Sequence, residues 1–98
     1  MVIKTTGNQV EGFLDSGEQV LQIFFQNKPI SEDNPQNGIQ VEALIEIAID
    51  RLQALNRYMS CHENSHAIDA LRTAGAWLDS RTLRRIAQKV EGTDKPHE

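Results

Sequence analysis

Apolar residues recur at two periods along this chain, and the change of period divides it. The first 30 residues read as short strands. Val2–Thr5 is β-prone and stops at the turn pair Gly7-Asn8, and Val10–Leu14 is a weaker segment ended by Asp15-Ser16-Gly17. Gln19–Gln26, rich in branched and aromatic side chains, is the best strand, so a small antiparallel sheet is expected. Asn27 through Gly38 holds two prolines and several turn formers and reads as a loop.

The period then becomes helical. Val41, Leu44, Ile45, Ala48, Leu52 and Leu55 form one stripe of a helix expected from about Ile39 to Tyr58. Ile47 and Ile49 fall outside that stripe and imply a second buried contact. A second helix is expected from Asn64 or Ser65, as N-cap, to about Val90, with Gly92 as C-cap. Its core stripe would be Ile68, Leu71, Gly75, Leu78 and Ile86. The short link between the helices forces an antiparallel hairpin. The expected class is therefore α+β, with a small N-terminal sheet followed by a two-helix hairpin in one domain over 1–98. Its parts would be sheet and loop over 1–38, hairpin over 39–90 and a polar, mobile tail over 91–98.

A chain of 98 residues buries only about two thirds of its unfolded surface at best, so homo-oligomerisation is expected to complete its core. No run approaches the roughly 18 apolar residues of a membrane span, and the first residues lack the features of a signal peptide. The single cysteine, Cys61, admits no internal disulfide, suits a reducing cytoplasm and reads as a small buried apolar residue. A net charge of −4 argues against DNA or RNA polymers as partners. That charge is unevenly spread. Residues 71–89 carry Arg72, Arg81, Arg84, Arg85 and Lys89 against one acid, Asp79, a place where a compact anion fits.

Two patterns carry possible chemistry. His62-Glu63-Asn64-Ser65-His66 fits H-E-x-x-H, in which two imidazoles one turn apart hold zinc and the glutamate acts as base. A helix capped at Asn64 or Ser65 leaves His62 off the face of His66. No third ligand stands out either, with Glu91 and His97 the remaining candidates, so a minimal zinc hydrolase is the minority reading. Trp77, Arg81 and Arg85 recur every four residues with Arg84 beside them, so an aromatic plane lies next to guanidinium forks that suit a base and its phosphates. The same spacing is met by a core tryptophan with arginines paired to Glu46 and Asp50, in a helical interaction module with no ligand. Spacing alone leaves both open.

Several ordered segments together resemble the Thoeris anti-defence sponge proteins of phages, relatives of the anti-CBASS cyclic-nucleotide sponges. They are Phe25-Gln26-Asn27-Lys28-Pro29-Ile30 with Asn37-Gly38-Ile39, Ala43-Leu44-Ile45 with Ile49-Asp50-Arg51-Leu52, and Cys61-His62-Glu63-Asn64 with Ala67-Ile68 and Leu71. Trp77-Leu78-Asp79-Ser80-Arg81-Thr82 and Val90-Glu91-Gly92-Thr93 follow in order, so the likeness covers about residues 20–95.

The resemblance implies a non-catalytic binding protein, needing no cofactor or metal, that captures cyclic ADP-ribose isomers in the cytoplasm of the infected bacterium. Some family members also hold cyclic di- or trinucleotides in separate pockets, and members assemble from dimers into larger homo-oligomers, commonly hexamers. Carried over by position, Asn64 and Arg81 match ligand-contacting residues. Leu55 stands where a stacking phenylalanine is usual, with Phe25, Tyr58 or Trp77 as substitutes for that wall. His62 replaces an arginine and Lys28 a glycine, the lysine adding a phosphate contact. Gln26 and Asn27 complete the strand-end segment, and Arg84 and Arg85 the basic face. A sponge competes with a sensitive receptor, so nanomolar affinity, roughly −12 kcal/mol, is expected.

Overall fold

The computed structural model describes residues 1–90, with the side chains of Lys89 and Val90 left aside. The expectations for Gly92, for Glu91 and His97 as ligands, and for the tail over 91–98 lie outside the described residues. Backbone contacts separate two compact units, one of Met1–Val41 and one beginning at Glu42.

In the first unit, β1 (Val2–Thr6), β2 (Gln9–Phe13) and β3 (Gln19–Phe24) form an antiparallel meander in the order β1-β2-β3. Thr6 pairs with Gln9, which leaves Gly7-Asn8 as the two-residue turn expected from the sequence. Ile3, Gly12 and Leu21 lie in register across the three strands. Gly12 is buried because Met1, Ile3 and Leu21 close over it, so closely that a Cβ there would meet Met1 Cε at 2.7 Å and Leu21 Cβ at 2.9 Å. A register shift follows at Gly12/Phe13.

The third strand stops two residues before the expected Gln26. Phe25 N–H donates to Asn8 O, and the chain then leaves the ladder for an isolated parallel bridge between Phe25 and Ile39. Ile39 N–H donates to Phe24 O and Gln26 N–H to Ile39 O, both at 2.8 Å. Those bonds use Ile39 as extended backbone, so the first helix starts at Val41 rather than at Ile39.

The second unit holds α2 (His62–Val90) and, apart from its first residue, α1 (Val41–Tyr58). Ile45 Cγ2 lies 3.9 Å from where a Cβ on Gly75 would stand, so the two helices meet there. The two residues are equally far from Ser60, which is the register of an antiparallel hairpin turning at residue 60. That register puts Val41 level with Asp79. At 1.5 Å per residue α1 is about 27 Å long and α2 about 43 Å, so the last three turns of α2 extend past the start of α1.

Two expected core residues are exposed, and the overhang explains the first. Ile86 belongs to the apolar stripe of α2 but is 54% exposed, since α1 has ended at that level. Ile47, expected to bury a second contact, is 62% exposed in the single chain. Ile68, at 6% exposure, is the one large apolar residue among the described residues that is buried, and α1 holds no buried residue. No helix among the described residues is long and apolar enough to cross a membrane.

Candidate functional site

The second helix begins two to three residues earlier than its own cap-forming residues suggested. Asn56, on α1, accepts the Cys61 N–H through Oδ1 at 3.1 Å, and Cys61 O accepts the Ser65 N–H at 3.4 Å. The cap is thus supplied by the preceding helix, which frees Asn64 from that duty. Asn64 lies inside α2 and its Nδ2 donates to Met59 O at 3.4 Å. His62 is the first residue of α2, so it shares a face with His66, contrary to the expectation from an Asn64 or Ser65 cap. Cys61 is exposed rather than buried, because it occupies the cap position of a helix connection.

The residues carried over by resemblance fall into three groups. Leu55 and Asn64 lie on either side of the connection, with Tyr58 three residues after Leu55 on α1 and 86% exposed. Trp77, Arg81, Arg84 and Arg85 lie near the far end of α2. Asn64 and Arg81 are separated by 17 residues of one continuous helix, a rise of about 25 Å. A mononucleotide-sized ligand cannot touch both within one chain.

Trp77 is not a core residue. It is 73% exposed, and neither Arg81 nor Arg85 forms an ion pair with Glu46 or Asp50. The buried tryptophan of the interaction-module pattern is therefore not what the helix adopts in the single chain. Arg81 is half-buried, and its Nε is shielded from solvent with no hydrogen-bond partner. A desolvated, unpaired donor on a charged group costs about 1–3 kcal/mol or more, which an arriving acceptor would relieve. Glu42 Oε1, in the first turn of α1, is likewise shielded and unpartnered.

The third group, Phe25–Lys28, lies in the first unit and is largely structural. The Gln26 side chain is used at both ends: Oε1 accepts the Asn37 and Gly38 N–H groups at 3.0 and 3.3 Å, and Nε2 donates to Lys28 O at 3.2 Å. Asn27 is held by its backbone, its N–H on Asn37 Oδ1 at 2.8 Å and its carbonyl on the Asn34 and Asn37 amides. Lys28 has φ 64, a left-handed conformation that costs a lysine about 1 kcal/mol and a glycine little. Its exposed ammonium forms no ion pair among the described residues.

Asn34 and Asn56 were not singled out from the sequence, and Asn37 only as part of an ordered segment. Asn34 Nδ2 serves the carbonyls of Asn27, Lys28 and Pro29 at 2.8, 3.2 and 3.0 Å, which makes it the hub of the loop. The available signal was an asparagine in a proline-containing turn, a residue type that bonds nearby backbone.

A three-stranded meander followed by a helical hairpin, with an exposed tryptophan and an unsatisfied arginine donor on the longer helix, defines a small α+β hairpin protein. A family model described as the Acb2/Tad1 hairpin domain matches residues 17–83, which include Leu55, Asn64, Trp77 and Arg81. The chain is also similar to Thoeris anti-defense 1 of Bacillus phage SBSphiJ7, at 39% identity over 80 residues, 81% of this chain and 56% of that protein. The chain thus spans just over half the length of that relative. It belongs to the Acb2/Tad1 family, the one its ordered segments resemble.

Proposed function

We propose that this protein is a phage anti-defence sponge, acting against Thoeris in the cytoplasm of the infected bacterium by sequestering a cyclic ADP-ribose isomer without degrading it. The observation that carries the reading is Arg81. The position singled out by resemblance is also the one whose guanidinium holds a desolvated donor in want of an acceptor. A pyrophosphate oxygen meets that want, and Trp77 and Tyr58 offer exposed aromatic planes on which adenine stacks in place of the family phenylalanine at Leu55. Glu42 Oε1 is an acceptor for a ribose hydroxyl. Arg84 and Arg85 add positive charge that draws in the anion. Cyclic di- or trinucleotides share the phosphate and base chemistry, and a second site for them is part of the same reading.

The pocket is completed by a second copy of the chain. Asn64 and Arg81 stand about 25 Å apart on one helix, yet both are ligand residues in this reading. Two copies of α2 packed antiparallel bring Asn64 of one copy to Arg81 of the other. The stretch between them supports such packing: Ala67, Ala70 and Ala74 fall on one side of α2, and Ala70 and Ala74 are exposed. Sparse burial within one chain points the same way, to a dimer that assembles further, in keeping with hexamers.

Mixed variants test the shared pocket. Asn64→Ala and Arg81→Ala chains, each unable to capture the nucleotide, are unfolded together, refolded as a mixture and assayed. A pocket drawing one residue from each copy recovers about a quarter of wild-type capacity, since each contributor is intact half the time. No recovery, with mixed oligomers present, would sink the shared-pocket assignment.

A further inference from the structure

The nucleotide reading leaves the paired histidines of α2 unused. His62 and His66 lie one turn apart on the helix, with ring centroids 6.5 Å apart and planes inclined by 36°. Both are exposed, and neither has a hydrogen bond or ion pair to surrender among the described residues. A depression of about 350 Å³, lined by Ser60, Cys61, His62 and Ser65, opens beside His62 and leaves room for a hydrated ion there.

Two imidazoles bound to one ion at ordinary metal–nitrogen distances have centroids roughly 5 Å apart. The rings therefore need to approach by about 1.5 Å, a movement within reach of two exposed side chains turning about their own torsions. We propose that His62 and His66 form a two-ligand surface site for a borderline divalent transition ion such as Zn²⁺, Ni²⁺ or Cu²⁺, whose preference for imidazole nitrogen selects them over Mg²⁺ or Ca²⁺. No third His, Cys, Asp or Glu completes a cluster among the described residues, so water fills the remaining positions. The positive end of the helix opposes a cation by a few-fold in affinity, and Glu63, in the same first turn, offsets part of that.

Bound there, the ion clips together the first and fifth residues of α2. Because it binds the helical geometry and not the unfolded chain, it raises the thermal midpoint. The site owes nothing to nucleotide binding and stands whether or not that reading holds.

The test uses the full chain without an affinity tag, dialysed against Ni²⁺ and, separately, Zn²⁺. One ion per chain is expected to bind in the low micromolar range, with Mg²⁺ unbound. His62→Ala and His66→Ala are each expected to weaken binding at least tenfold while far-ultraviolet circular dichroism stays unchanged, since both side chains are exposed and unbonded. Absence of binding up to about 1 mM overturns the proposal. So does binding that survives the double substitution, or loss in only one of the two single variants.

Discussion

Arg81→Ala is expected to raise the Kd for a cyclic ADP-ribose isomer by about 100-fold while leaving helix content unchanged. The magnitude follows from two charge-assisted hydrogen bonds to phosphate, worth about 1.5 kcal/mol each or more when shielded from water. The preserved fold follows from the free protein. Arg81 makes no ion pair, and its Nε has no hydrogen-bond partner to lose, so truncation removes a buried liability. Thermal stability should stay level or rise slightly. Calorimetric titration and circular dichroism read the two halves separately. A variant that binds normally refutes the assigned site, and one that unfolds refutes the claim that Arg81 is idle without ligand.

Gly38→Ala is expected to cost about 3 kcal/mol of stability, the upper end for an overpacked site. A Cβ at Gly38 would stand 2.5 Å from the Phe25 carbonyl carbon and 2.7 Å from its oxygen, and closer still to Phe24 O. All three are backbone atoms of the segment that pairs with Ile39, so no side-chain rotation relieves the clash. The Phe25–Ile39 bridge must open, and the bonds from Gln26 Oε1 to the Asn37 and Gly38 N–H groups go with it. Urea denaturation measures the loss. A change below about 0.5 kcal/mol would mean that the loop is not anchored in this way.

The elements were legible where one physical signal dominated. The period-two runs and the Gly7-Asn8 turn marked the meander, and the 3.6-residue stripe marked both helices, because each pattern reports directly which face is covered. Boundaries slipped where a distant partner decided them. Ile39 reads as helical until the Phe25 bridge claims its backbone. His62 reads as lying outside the helix until Asn56, from the preceding helix, supplies the cap. Neither partner is visible from local spacing.

The candidate site was legible only in part for a related reason. Four-residue spacing placed Trp77, Arg81 and Arg85 on one side of a helix without saying whether that side is core or surface. The exposure of Trp77 and the unpartnered Arg81 Nε decide that. Position along the helix then separates Asn64 from Arg81 by more than one ligand's width, a distance that resemblance, read residue by residue, does not convey. Gln26, grouped with the ligand residues by the same likeness, spends its side-chain amide on the loop that carries it, and Asn27 its backbone groups.

The central claim, capture without conversion, is tested most directly by recovery of the nucleotide. The protein is incubated with a cyclic ADP-ribose isomer and passed through a filter that retains it, and the retained fraction is then heated and analysed by mass. The account predicts that the signal disappears from the filtrate and returns intact, in stoichiometric amount, once the protein is denatured. Release of a linear or hydrolysed product, or a signal that passes the filter unchanged, would contradict it.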